Sequence, residues 1–199
     1  MANLVGVTGG IGAGKSTVLT LLARHGQRTL DSDAVVHRLY EPGSPIAARL
    51  LQRWGPTVME AGGRVNRAAV AERVFRDPEE LAWLNRQVHP TVKAEIARQA
   101  AAADSLLFCA IPLLFEAGWE TAMTCTVAVW CDRQRQRERL QARGWTEAEI
   151  QRRENAQLAM DGKLERADFG IVNHGSLDVL ERQITRILTR IAHLNPIRS

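Results

Sequence analysis

The sequence predicts a three-layer α/β/α fold, a five-stranded parallel sheet with helices on both faces. Two observations predict it. Short apolar runs rich in β-formers alternate with longer stretches of helical periodicity, the pattern of parallel βαβ units. A glycine-rich turn stands directly between the first such run and the first amphipathic stretch, where an open α/β sheet places its ligand crevice.

Residues 3–8 read as a short buried strand, and residues 15–25 as a helix with Leu19, Leu22 and Ala23 on its apolar face. Arg28–Asp31 is the second strand. Residues 106–111 form the third, apolar throughout and bounded by Asp104-Ser105 and Pro112. Residues 125–131 (CTVAVWC) are the fourth, and 168–172 the fifth. Helix starts are written between them. Asp77-Pro78-Glu79-Glu80 offers a cap, a proline at the first position and an early acid, and Thr146-Glu147-Ala148-Glu149 is a capping box. Leu177, Leu180, Ile184, Ile187, Leu188 and Ile191 give the last helix a face to lay on the sheet. The strand spacing is uneven. It predicts one domain over 1–199 carrying a helical, substrate-binding insertion over about 34–104 and a second helical excursion, a lid, over about 133–166.

Composition excludes several classes. At 199 residues, 45% hydrophobic and 24% charged, the chain is an ordinary globular domain; 26 basic against 22 acidic residues give +4, which suits an anionic small molecule as well as nucleic acid. The longest apolar run, 106–115, is too short to cross a bilayer and contains Pro112. The opening MANLVGVTGG has no basic n-region and goes straight into a strand pattern, unlike a signal peptide. Cys109, Cys125 and Cys131 form no C-x-x-C pair and lie in or beside apolar runs, as buried thiols do in a reducing compartment. A cytoplasmic protein is expected, with no membrane partner.

Residues 9–16, GGIGAGKS, fit G-x-x-x-x-G-K-[ST], and Thr17 follows. The glycines let the backbone curl so that N–H groups from Gly10, Ile11, Gly12, Ala13 and Gly14 can converge on phosphate oxygens. The helix beginning beyond Gly14 adds its positive end. Lys15 supplies a mobile cation for the β- and γ-phosphates, and the Ser16 hydroxyl can ligate Mg²⁺. A turn that merely joined strand to helix would not require Lys-Ser-Thr here, so the loop reads as a nucleotide-phosphate site.

Such a loop names a superfamily and not a reaction. No N-K-x-D guanine-reading motif is present, and the apolar third strand ends in proline, not the aspartate of a motor. A small-molecule kinase fits best. Asp31-Ser32-Asp33 ends the second strand, where carboxylates face the phosphate loop in a doubly wound sheet. Asp33 can orient or deprotonate the attacking hydroxyl while Asp31 supports the metal; alternatively Ser32 or Asp33 simply caps a helix over 34–40. Arg133, Arg135, Arg137, Arg139 and Arg143 crowd one stretch, with Arg152 and Arg153 beyond. Most read as a solvated face. One to three of them on a mobile lid would neutralise charge on the moving phosphoryl group, and Arg139 and Arg143 lie four apart. The stretch has no interleaved aromatics, which argues against nucleic-acid binding.

Taken in order, these segments resemble the dephospho-CoA kinase family. VGVTGGIGAGKSTV is very like that family's opening, and Asp31-Ser32-Asp33 like its D-x-D, with Glu41-Pro42-Gly43 beyond. Arg73-Val74-Phe75 and Val88-His89-Pro90 match its middle region, and Pro112-Leu113-Leu114-Phe115-Glu116 its P-L-L-F-E segment. Gln136, Arg139 and Arg143 fit its lid pattern; Gln157, Lys163, Ala167-Asp168 and Asn173 fit its late residues. Glu154 departs from the apolar residue the family often carries.

The resemblance implies transfer from Mg·ATP to the ribose 3′-hydroxyl of dephospho-CoA. By it Asp33 is the base, Lys15 and the loop amides hold ATP, Ser16 and Asp31 serve the metal, Arg139 is the first lid cation, and Asn173 contacts adenine. His89, Pro112, Leu113 and Glu116 border the acceptor. His89 reads equally as a structural corner, since Pro90 should kink or end a helix, and Leu113, Leu114 and Phe115 read equally as packing. The expected partners are two small molecules, ATP and dephospho-CoA, with the chain a monomer or small homo-oligomer. Another small-molecule kinase, acting on a nucleoside, nucleotide or shikimate, is the enzymatic alternative. A nucleotide-switched regulatory or RNA-binding protein is the alternative from outside enzymology; Lys15, Ser16 and Asp33 argue against it.

Overall fold

A computed structural model describes residues 3–194. In chain order the elements are β1 (Leu4–Gly9), α1 (Lys15–Arg24), β2 (Arg28–Asp31), α2 (Ser32–Leu39), α3 (Pro45–Trp54), α4 (Arg67–Arg76), α5 (Pro78–Ala101), β3 (Leu107–Ala110), β4 (Cys125–Trp130), α6 (Arg133–Gln141), α7 (Glu147–Asn155), α8 (Met160–Arg166), β5 (Phe169–Val172) and α9 (Leu177–Leu194). Three-residue 3₁₀ turns follow α3 and precede β4. The chain divides into two compact units, Ser32–Arg98 and the remainder.

The larger unit holds a five-stranded, wholly parallel sheet in the order β2-β3-β1-β4-β5. Its central strand, β1, is buried at every residue, which is why it reads as a continuous apolar run. Val5 pairs with Phe108 on one side and Cys125 on the other. Val5, Val7, Phe108, Val127, Val129 and Ile171 join a core with Leu19 and Leu22 of α1 and with Leu180, Ile184, Ile187 and Ile191 of α9. The expected strands differ from these only at their ends. Asp168 stands just before β5, its carboxylate accepting from the Thr126 N–H and hydroxyl, both at 2.8 Å. All three cysteines are buried free thiols. Burial pushes Cys109 up to about 12 and Cys125 to about 11, and raises Cys131 too, so none is a nucleophile at neutral pH.

Residues 32–98 are mostly helical, with one antiparallel bridge between Met59 and Val65. Ser44 caps α3, accepting from the Ala47 N–H, with Pro45 at its first position. Asn66 caps α4 through Ala68 and Ala69, and Asp77 caps α5 through Glu79 and Glu80. Ile46, Leu50, Trp54, Val70, Val74, Leu84, Val88 and Val92 are buried here. Trp54 donates its indole N–H to Glu80 at 2.7 Å, and Arg53 pairs with the same carboxylate at 2.9 Å.

Two local expectations are corrected. α5 neither ends nor breaks at Pro90 but runs through it. The missing N–H costs one helical bond, and Val88 and Val92, buried on either side of an exposed Pro90, hold both halves in place. α2 begins at Ser32, immediately after β2, so Ser32 and Asp33 lie inside its first turn and do not precede it as caps. Among the described residues, no helix is long and apolar enough to cross a membrane.

Candidate active site: a phosphate loop backed by the lid helix

β1 delivers the chain into the loop 10–14, and α1 begins at Lys15. Gly14 precedes the helix at φ 100°, and a Cβ there would lie 2.0 Å from Asn173 Nδ2, so only glycine fits. Lys15 folds back over the loop, its Nζ donating to the carbonyls of Gly9 at 2.9 Å and Gly10 at 3.0 Å.

Three further loop carbonyls are held by side chains from far along the sequence. Gln136 Nε2 donates to Ile11 O at 2.9 Å. Arg139 Nη1 donates to Gly12 O at 3.3 Å and Ala13 O at 3.2 Å, and its Nη2 to Asn173 O at 3.0 Å. Asn173 Nδ2 donates to Ala13 O at 2.8 Å, while its backbone N–H donates to Trp130 O at 2.7 Å. Asn173 is buried, so its position is set by the end of β4. Three carbonyls are thereby tied back. A trans peptide points its N–H opposite to its C=O, so the following amides are turned the other way.

Ser16 and Asp31 line one cleft of about 590 Å³ with Leu19, Thr20, Ala23, Arg24 and Thr29. A hydroxyl and a carboxylate are the hard oxygen donors Mg²⁺ takes, and that ion draws most of its shell from water and substrate phosphates, so this pair suits it. Thr17 sits half-buried in the first turn of α1. Asp33 stands two residues beyond Asp31, in the first turn of α2.

The P-L-L-F-E segment divides by role. Leu114 and Phe115 are buried, whereas Leu113, also read as packing, is 39% exposed. Pro112 O accepts from Thr8 Oγ1 at 3.3 Å and from Lys163 Nζ. Glu116 pairs with Lys163 at 2.9 Å and accepts from the Leu158 N–H at 2.7 Å. Lys163 is fully buried, and desolvation pushes its pKa down against the opposing pull of Glu116. This pair pins α8 to the segment after β3. Sequence reasoning gave Lys163 no role; a lysine in a short helix announces neither its own burial nor a carboxylate partner 47 residues away. His89 is half-buried in α5, its pKa lowered first by burial and then by the nearby charge of Lys93, so it is neutral near pH 7.

The stretch expected to form a lid also departs from expectation. Arg139 and Arg143 do not share a helical face, because α6 ends first. Trp145 N donates to Leu140 O at 3.2 Å and Gly144 N to Gln141 O at 2.8 Å, with Gly144 at φ 80°, a Schellman turn that throws Arg143 outward. Arg137 is tied between Glu147 at 2.7 Å and Glu154 at 3.7 Å, which gives the unusual Glu154 a partner joining α6 to α7. Arg133 and Arg135 are solvent-exposed, as a solvated face requires.

Comparison with known proteins identifies the family. The family model for dephospho-CoA kinase matches residues 3–178. A dephospho-CoA kinase of Anaeromyxobacter dehalogenans is 40% identical over 190 residues, 93% of this chain and 90% of that one. Another from Symbiobacterium thermophilum is 38% identical over 186 residues, 91% of this chain and 78% of its own length. The solved dephospho-CoA kinase from Campylobacter jejuni superposes with a TM-score of 0.72 at 25% identity, over 98% of this chain and all of that one. With a family match across almost the whole described length, laid over a phosphate loop of this construction, the chain belongs to the dephospho-CoA kinase family.

Proposed function

We propose the following division of labour for the transfer. The chain is an ATP-dependent kinase: it moves the γ-phosphoryl group of ATP to the ribose 3′-hydroxyl of dephospho-CoA, giving CoA and ADP, the last step of coenzyme A synthesis. The amides from Gly10 to Thr17 and the positive end of α1 hold the ATP phosphates. Lys15 leaves the Gly9 and Gly10 carbonyls for the β- and γ-phosphate oxygens. Asn173 borders the nucleotide beside Ala13. Ser16 and Asp31 hold Mg²⁺, which when bound neutralises charge on the phosphates. Asp33 takes the proton of the 3′-hydroxyl as it attacks, and His89, Pro112, Leu113 and Glu116 border dephospho-CoA. The transition state is loose and anionic, so Lys15 and Arg139 serve it by charge placed beside the loop. The protein works in the cytoplasm.

The observation that carries this reading is the loop itself, with three carbonyls tied back by Gln136, Arg139 and Asn173 and a hydroxyl and a carboxylate lining one cleft beside it. Magnesium titration of turnover tests the metal assignment. Asp31→Ala and Ser16→Ala should each raise the Mg²⁺ concentration at half-maximal rate by about tenfold, one lost ligand contact each. An unchanged Mg²⁺ demand in both variants would remove these residues from the metal site.

A further inference from the structure

α6 is nearly all polar in sequence (RQRQRERLQ), yet one side of it is buried. Gln136 and Leu140, one turn apart, are 3% and 0% exposed. They back onto the loop at Gly12: a Cβ on that residue would lie 3.0 Å from Leu140 Cγ and 3.2 Å from both Gln136 Cγ and the Gln136 carbonyl oxygen. Packing alone would be served by an apolar side chain of the same size. A buried amide costs free energy unless it is hydrogen-bonded, and here its donor is spent on one atom, Ile11 O. That bond has a direction. Holding Ile11 O toward α6 aims the N–H of the same peptide, on Gly12, to the opposite side of the loop. Arg139 and Asn173 fix the next two peptides, at Gly12 and Ala13.

We propose that Gln136 is a positioning residue for the transfer: it sets the Ile11–Gly12 peptide so that its N–H meets nucleotide phosphate, and so makes the loop's geometry depend on the base of the lid being docked. The inference rests on the reading that the loop holds the ATP phosphates. It assigns Gln136 no contact with substrate. Its effect should appear in phosphate binding alone, because dephospho-CoA does not depend on that peptide.

The test uses the full chain, with calorimetric affinities for Mg·ATP, for tripolyphosphate as a probe lacking base and ribose, and for dephospho-CoA. Gln136→Met keeps the volume and removes the donor. It should weaken ATP and tripolyphosphate about tenfold, the scale of one hydrogen bond, while dephospho-CoA affinity stays within about twofold and the thermal midpoint within about 3 °C. Gln136→Glu keeps the shape and sets an acceptor against a carbonyl, so it should weaken ATP further; should the methionine variant not fold, this one carries the test. Lys15→Ala is the control for the loop reading. Wild-type ATP affinity in the Gln136 variants beside a weakened Lys15→Ala would overturn the positioning role and leave the loop reading standing. Wild-type affinity in all of them would overturn both. Equal loss of ATP and dephospho-CoA with a lowered midpoint would reduce Gln136 to packing and overturn the proposal.

Discussion

Replacing Asp33 by asparagine should lower kcat by a factor of about 10² to 10⁴, the range a positioned general base contributes, and leave ATP affinity unchanged. The substitution is nearly isosteric. It keeps Asp33's place in the first turn of α2, where either side chain is tolerated, so folding should be unaffected. What it removes is the ability to accept a proton. Dephospho-CoA should still bind, since an amide oxygen can accept a hydrogen bond from the same hydroxyl. Single-turnover kinetics separate the two effects: a slow chemical step with normal substrate affinities supports the base, whereas near-normal kcat would show that the hydroxyl loses its proton elsewhere.

Replacing Lys15 by alanine should be as damaging by a different route. Its ammonium folds onto Gly9 and Gly10 in the loop, so the site loses the cation proposed to leave these carbonyls for the β- and γ-phosphates. A charged donor aimed at developing negative charge in a partly desolvated site accounts for about 10²- to 10³-fold in rate. For Lys15→Ala, kcat/KM for ATP should fall by about that factor or more with every acceptor offered, with KM for dephospho-CoA little changed. Arginine should not rescue it, because the planar guanidinium cannot replace a compact ammonium folded against two carbonyls. Full activity in either variant would remove Lys15 from the transfer.

The phosphate loop was legible in the sequence because its chemistry is local: all eight residues of its motif, with the strand before and the helix after, are contiguous. The strands were legible for a related reason. Burial on both faces writes a plain apolar run, and β1, β3 and β4 are such runs. What the sequence concealed depends on long-range placement. Gln136, Arg139 and Asn173 act on carbonyls more than 120 residues away, and nothing near Gln136 except Leu140 one turn on marks that face of α6 as buried. Arg143 looked like Arg139's neighbour because helical spacing was extended past a Gly144 that ends the helix. Pro90 looked like a break because local propensity says so, and tertiary packing of Val88 and Val92 overrides it. Glu116 read only as a position that meets ligand, and the tie of one of its oxygens to Lys163 and Leu158 was invisible because those partners lie more than 40 residues on.

The most direct measurement of the central claim is ADP release from Mg·ATP by the purified wild-type chain, with dephospho-CoA, adenosine, AMP or shikimate as acceptor, and with the phosphorylated product identified by ³¹P NMR. The account predicts strong stimulation by dephospho-CoA alone, with CoA bearing a 3′-phosphate formed in equal amount to ADP. Stimulation by one of the other acceptors, or ADP release indifferent to all of them, would contradict it.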